Sequence, residues 1–314
     1  CDGKGKHSIG NLRWRFLYMI SMSEYLENIY VDFASDINEQ TKLCQLKGLN
    51  FAAGCLPDYN NLQIQRLYLL RYSFAYGFEY SGIYSEVLAR LHNPQKVCVV
   101  SIGCGNFLDY WSLVQSIEKK NLECEVRYVG IDEIDWNYKF DKRDGDELYF
   151  KKGNAINFFE ENKEFISDIY FFPKSISEFD AKEMNVMVNN LQNKPILRDK
   201  LIFCFSIRAN EGSRERDMEK TEQIIGALKR NGFHLINPTY GYTFYRENKG
   251  IIAYDNSYVY PQEAYDYIVS LNEKCGSYIK NGANCGEDCI QYLNRKPTTK
   301  TGNIYYRIIE LERN

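Results

Sequence analysis

The residues best placed for chemistry are two glycines and a carboxylate set one strand apart. Gly103 and Gly105 lie in Val97-Cys98-Val99-Val100-Ser101-Ile102-Gly103-Cys104-Gly105-Asn106-Phe107-Leu108-Asp109, and Asp132 closes Tyr128-Val129-Gly130-Ile131-Asp132. A continuous apolar run such as Val97 to Val100 suits a parallel strand covered on both faces, and glycines in the turn after it let the backbone approach a ligand with no Cβ in the way. Strand, glycine turn, helix, and a second strand ending in a carboxylate together indicate a nucleoside-carrying ligand. A dinucleotide fingerprint needs a third glycine where Leu108 stands, which argues against NAD. No G-x-x-x-x-G-K-[ST] occurs anywhere, which excludes a P-loop.

What remains resembles motif I of the class I S-adenosylmethionine-dependent methyltransferases, an acidic-x-G-x-G-x-G turn, over roughly residues 95 to 240. The resemblance implies methyl transfer from S-adenosylmethionine, with the cofactor held by Ser101, Gly103, Cys104 and Gly105 in the turn and by Asp132 on its ribose hydroxyls. It further implies that Asp109 approaches the methionine ammonium and that Trp136 covers the adenine. The chain departs from the family pattern at three places. Ser101 replaces the acidic head of the motif, Phe107 replaces its third glycine, and Asn154 stands where an aspartate often meets the adenine amino group. An asparagine carbonyl can accept from that amine as a carboxylate does.

In open α/β sheets ligands bind beyond the carboxyl ends of the strands. The segment Ile169-Tyr170-Phe171-Phe172-Pro173-Lys174-Ser175-Ile176-Ser177-Glu178 ends such a strand. It resembles the family's motif IV only at Pro173, so methylation of a base amine is not supported. Lys174, Ser175 and Glu178 are the candidate catalytic residues: they can position an acceptor, and Glu178 can take its proton. The plainer reading is that Ser175 or Ser177 with Glu178 caps the next helix. Methyl transfer asks mainly for alignment, so the absence of an obvious base is no objection. Arg208, Asn210, Arg214 and Arg216, with Lys139, Lys142, Arg143, Arg295, Lys296 and Lys300, could form a phosphate-contacting surface. The acceptor is therefore expected to be RNA, then a protein or a small molecule. The rival is a non-catalytic module that senses the cofactor or binds a partner. His7, His92 and His234 are isolated, and no role falls to them.

Positioning these groups requires alternating strands and helices. Strands are expected at Val97 to Ser101, Glu125 to Ile131, Leu148 to Lys152, Asp168 to Phe172 and Leu201 to Ser206, with helices at Asn106 to Lys119, Ser177 to Leu191 and Arg214 to Arg230. Phe233 to Ile236 and Tyr305 to Leu311 complete the sheet; in this family the last two strands form an antiparallel edge. The fold class is thus α/β, a Rossmann-like methyltransferase domain with a mostly parallel seven-stranded sheet, an N-terminal helical extension and a C-terminal cysteine-containing insertion. Residues 1–94 read as a helical lid, 95–260 as the cofactor-binding core, and 261–314 as an accessory helix, cysteine loop and final strand. Within the lid, Asn11 to about Leu46 is helix-like with a break near Ser21 to Ser23. Its apolar face needs a cover, either the domain itself or a second copy in a homodimer. Asp58 or Asn60 can cap the next helix, where Tyr68, Tyr72, Tyr76, Tyr80 and Tyr84 recur every fourth residue and so line one side as an aromatic ridge. Packing against neighbouring helices is the plainer role for that ridge; stacking on a base or substrate is the other.

At 314 residues and 44% hydrophobic content the chain can bury a real core, and 39 Lys and Arg against 42 Asp and Glu leave a net charge of −3. No global field draws nucleic acid or an anionic membrane, so any RNA contact must be local. With no run of 18 uncharged apolar residues and no apolar signal core at its start, the chain is expected to be soluble and cytoplasmic, without a membrane partner. Of ten cysteines, Cys98, Cys104, Cys124 and Cys204 sit in apolar strand contexts and read as small hydrophobes. Cys275, Cys285 and Cys289 lie in a Gly- and Asn-rich loop, and the C-x₃-C pair fits a structural zinc with Cys44, Cys55 or Cys1 as fourth ligand. Unpaired thiols and disulfides are the other readings of this loop.

Overall fold

Apolar runs buried on both faces set the centre of the sheet. The computed structural model describes residues 20–38, 40–49, 57–92, 94–207, 211–237, 259–281, 285, 287–299 and 305–313. In it β1 (Lys96–Ile102), β4 (Ile169–Pro173) and β5 (Lys200–Ile207) run side by side and parallel, buried along most of their length. β2 (Glu125–Asp132) pairs with the other side of β1, and β3 (Glu147–Lys152), its side chains half-buried or exposed, forms the edge beyond it. At the opposite end β7 (Tyr305–Arg313) lies antiparallel between β5 and β6 (Phe233–Asn237). The strand order is β3-β2-β1-β4-β5-β7-β6. This is the mostly parallel seven-stranded sheet with an antiparallel end that the resemblance implied.

The strand alternation sorts the core into two layers. Val97 and Val99 of β1 pack with α1 (Met22–Ser35), α2 (Leu62–Arg90) and α3 (Leu108–Lys119) on one face. Val100 and Ile102 pack with α4 (Ala155–Glu161), α5 (Ala181–Asn193) and α6 (Glu211–Arg230) on the other. α2 and α3 approach closely because small residues line their contact. Ser112 Oγ donates to Gly77 O at 3.0 Å, and Ser116 Oγ to Ser81 O at 2.9 Å. Between β6 and β7, α7 (Gln262–Val269), α8 (Gly276–Asn281) and α9 (Glu287–Leu293) add Ala264, Ile268 and Leu293 to the first layer.

Several expected boundaries move for local reasons. α1 starts where Ser21 accepts from Glu24 N, and it ends at Ser35; a separate 3₁₀ turn follows at Leu43–Gly48. Residues 1–19 lie outside the described residues. The apolar face of α1 (Met22, Tyr25, Leu26, Ile29, Phe33) is covered within the same chain. α2 is capped by Asn61, whose side chain accepts from Gln63 N and Ile64 N, while Asp58 instead accepts from Asn60 N. The helix after β4 starts at Ala181, because Asp180 and Glu183 form a reciprocal capping box. Ile176–Glu178 winds as a 3₁₀ turn ahead of it. α4 was not anticipated from the sequence. Among the described residues no helix is long and apolar enough to cross a membrane.

Candidate functional site

The turn after β1 is tied to the end of β2 through its backbone. Gly103 N and Cys104 N donate to Ile131 O at 2.8 and 3.1 Å, and Gly105 N donates to Asp132 Oδ2 at 2.8 Å. Gly103, Gly105 and Phe107 take left-handed backbone, with φ of 74°, 56° and 66°. At Gly103 the need for glycine is also steric, since a Cβ there would fall 2.6 Å from Cβ of Ser175. Phe107 holds the conformation of the glycine it replaces, at a cost of about 1–3 kcal/mol. Its ring is buried against Tyr128 and Phe150, with centroids 5.8 Å apart in each case. Room for that ring comes from β2: a Cβ on Gly130 would lie 2.7 Å from Phe107 Cε1 and 2.7 Å from Cys104 Sγ. The bulky replacement is therefore housed inside the protein, beneath the turn.

Asp132, half-buried at the end of β2, also accepts from Ile134 N at 2.8 Å through Oδ1. Burial pushes its pKa up, and the two backbone N–H groups partly offset that. A carboxylate offers about four acceptor positions, so the two backbone N–H groups leave capacity for a further donor such as a ribose hydroxyl. Trp136 is buried beside this carboxylate, and its indole Nε1, without a hydrogen-bond partner among the described residues, lies 3.9 Å from where a Cβ on Gly105 would be. Its indole N–H faces the Asp132 carboxylate closely enough to help lower that pKa. Among the described residues other than its two chain neighbours, only Trp136 comes within 4 Å of that Cβ position. The acceptor set and the bare turn fit the ribose end of an adenosyl group.

Two expected cofactor contacts have interior work instead. Asp109 is buried in the first turn of α3, accepting from Tyr128 Oη at 2.8 Å and Tyr84 Oη at 3.3 Å, with the fully buried Ser101 beside it. Desolvation pushes its pKa up to about 6. Asp109 is buried in the core, so contact with a methionine ammonium would require the packing around it to open. Asn154 caps α4: Oδ1 accepts from Ile156 N at 2.7 Å, and Nδ2 donates to Glu183 at 3.2 Å. A cap and an adenine contact look the same in sequence, since both ask for a side-chain carbonyl after a strand.

At the ends of β4 and β5 the structure gathers a second group. Lys174 has left-handed backbone, φ 57°, and its Nζ donates to Glu79 Oε1 at 2.7 Å and to Ile207 O at 3.3 Å. Ser206 Oγ donates to the same Glu79 oxygen. Glu79 is buried in the middle of α2, and nothing in the sequence had singled out Glu79 or Ser206. Ser175 drops out as a catalytic candidate, because it is buried against Gly103 and its hydroxyl donates to Ile102 O. Glu178 is exposed, and its charge raises the pKa values of Tyr68 and Tyr80 across the mouth, where burial has already pushed both hydroxyls up. The tyrosine ridge joins the two groups. Tyr68 packs 5.4 Å from Trp136, successive ring centres along Tyr68, Tyr72, Tyr76 and Tyr80 are 5.2, 5.7 and 6.1 Å apart, and the Lys174 ammonium lies 5.1 Å from the centre of Tyr76. Tyr80 and Tyr84 continue inward onto Phe171.

Other expected features fare differently. Among the described residues no group of three or more His, Cys, Asp or Glu could hold a metal ion, so zinc at Cys275, Cys285 and Cys289 is not supported. Cys275 and Cys289 are buried and pack as small hydrophobes, Cys275 Sγ accepting from Leu43 N at 3.5 Å. Cys285 is half-buried and Cys44 exposed; Cys1 and Cys55 lie outside the described residues. Among the described residues of the expected basic surface, three have identifiable local partners. Arg143 holds Asp146 at 2.9 Å and the carbonyl of Cys124 at the amino end of β2, whereas Lys139 lies over Phe150 and Arg214 over Tyr305. Arg208, Asn210 and Lys300 lie outside the described residues.

A mostly parallel seven-stranded sheet with an antiparallel end carries a glycine turn after β1 and a carboxylate at the end of β2. The fold is that of the class I S-adenosylmethionine-dependent methyltransferases. No family model and no curated protein sequence matches the chain. Among solved structures, a SAM-dependent methyltransferase from Archaeoglobus fulgidus is 14% identical, covering 74% of this chain and 94% of its own, with a TM-score of 0.36. The plantazolicin methyltransferase BpumL, solved with a monoazolic desmethylPZN analog and SAH, is 13% identical over 93% of this chain and 99% of its own, TM-score 0.42. The 1,6-didemethyltoxoflavin-N1-methyltransferase of Burkholderia thailandensis is 10% identical over 75% and 78%, TM-score 0.38. At such identities and scores these neighbours say nothing of this chain's acceptor, and the fold stands on its own sheet.

Proposed function

We propose that the chain is an S-adenosylmethionine-dependent methyltransferase. The observation that carries this reading is Asp132, fastened at the end of β2 by Gly105 N and Ile134 N, with acceptor capacity to spare beside the glycine turn. In this reading Asp132 takes the ribose hydroxyls, Gly103, Cys104 and Gly105 form the floor, and Trp136 borders the adenosine. When bound, the cofactor supplies a methyl group already activated on a sulfonium, so the protein's part is alignment and exclusion of water. Tyr68, Tyr72 and Tyr76 form a continuous row of rings from Trp136 to Lys174, and in this reading Lys174 with Glu178 stands at the acceptor end.

A small, flat acceptor suits this mouth better than RNA. Aromatic rings line it, and Arg143 belongs to the opposite end of the sheet, so an extended phosphate track does not converge there. The cofactor-sensing alternative has no observation of its own in its favour. Incubation with methyl-labelled S-adenosylmethionine and separate RNA, protein and small-molecule fractions of a cell lysate tests the reading. Label is expected in the small-molecule fraction; cofactor binding with no label in any fraction would favour the non-catalytic module.

A further inference from the structure

Lys174 combines two features that a merely structural lysine would not need. Its backbone is left-handed without glycine's freedom, and its ammonium is drawn inward onto a carboxylate in the middle of a helix. Buried ion pairs contribute little net stability compared with apolar packing, and strained backbone collects at functional sites. Both features occur at the carboxyl ends of β4 and β5, opposite the aromatic ridge. Among the described residues the ammonium has two oxygen partners, Glu79 Oε1 and Ile207 O; it also lies against the Tyr76 ring, and 17% of the side chain remains exposed.

Resting on the methyltransferase reading, we infer that Lys174, held in place by Glu79, binds the oxyanion of a flat aromatic acceptor, a phenolate or a carboxylate, whose ring lies along the face of the tyrosine ridge. Glu79 and Lys174 cancel in charge, so the added oxyanion is balanced by the sulfonium. The acceptor oxygen's electron pair forms the new bond to the methyl carbon as the carbon–sulfur bond breaks, leaving a neutral thioether, and no proton has to be placed. Neutralising two charges is favoured where water is thin, which a wall of tyrosines provides. A protonated amine would instead meet the Lys174 ammonium with like charge.

The test uses 4-nitrophenol and benzoate as probes of the two oxyanion sources, titrated into the full chain with and without S-adenosylhomocysteine, following nitrophenolate absorbance and heat. The wild type is expected to bind at least one probe, more tightly with S-adenosylhomocysteine present. Lys174→Met is expected to lose roughly 10- to 100-fold in that affinity, the range for removing one charge-assisted hydrogen bond, with S-adenosylhomocysteine binding within about twofold. Because the single change leaves Glu79 buried without its ion partner, the double variant Lys174→Met/Glu79→Gln repeats the test with both charges gone. Preferential binding of nitrophenol points to phenols, and of benzoate to carboxylic acids. Equal probe affinity in wild type and double variant, or S-adenosylhomocysteine binding with neither probe bound, overturns the inference and leaves the methyltransferase reading in place. Failure to bind S-adenosylhomocysteine overturns that reading itself.

Discussion

The turn after β1 and the turn after β4 both use left-handed backbone, and they use it for different ends. At the first, Gly103 leaves room for Ser175, Gly105 keeps a side chain away from Trp136, and Phe107 is folded under into the space left by Gly130. At the second, Lys174 accepts the same strain while directing a charge onto Glu79. One turn is shaped by what is absent from it, the other by what it holds. The two meet at Gly103 and Ser175, where the first turn leaves just enough room for the second.

That junction gives the largest expected effect. Gly103→Ala puts a Cβ 2.6 Å from Ser175 and forces alanine into left-handed backbone. Urea denaturation should show a loss of about 3 kcal/mol or more. Adding Ser175→Gly should restore part of it; two losses that simply add would mean the turns do not press on each other. Next in size is Asp109. Its carboxyl, raised from 3.8 to about 6, holds a proton in the folded state that the unfolded chain has released. Its contribution is therefore fully present below about pH 4 and is lost as pH rises through about 6, a change of ~3 kcal/mol. Asp109→Asn should remove that fall, which stability curves of both proteins at about pH 4 and about pH 8 would show. Parallel curves would mean the carboxyl titrates as in the unfolded chain.

Gly130→Ala should cost about 1–3 kcal/mol by overpacking Phe107 and Cys104, and less in a Phe107→Leu background. Equal cost in both backgrounds would separate Gly130 from the phenylalanine. The smallest effect is at Asn154. Asn154→Ala should lower stability by about 1 kcal/mol through loss of the α4 cap and leave S-adenosylhomocysteine affinity unchanged. A weakened affinity would return Asn154 to the adenine.

The same contrast explains what could be read in advance. Glycines and a strand-end carboxylate announce themselves through residue type and spacing, so β1, α3 and β2 came within a residue or two of their observed ends. Phe107 looked like a defect because its compensation is a missing side chain on another strand. The trace of that in the sequence is a glycine inside the strand, between Val129 and Ile131. Glu79 left even less. A glutamate among helical aromatics reads as a surface residue, and its partners Lys174 and Ser206 lie 95 and 127 positions away. The helix after β4 was placed too early because Ser175, Ser177 and Glu178 imitate a cap that Asp180 and Glu183 form. The cysteine loop followed metal spacing, yet Cys275 and Cys289 had already been taken into the core.

The most direct measurement is calorimetric titration of S-adenosylhomocysteine into the wild type and Asp132→Ala. The wild type should bind with the heat of a single site, and the variant should bind more weakly by about 1.5–3 kcal/mol through loss of charge-assisted hydrogen bonds, while its circular dichroism stays that of the folded protein. Equal affinity in the two proteins, or no binding by a folded wild type, would contradict the assignment of this carboxylate to a ribose.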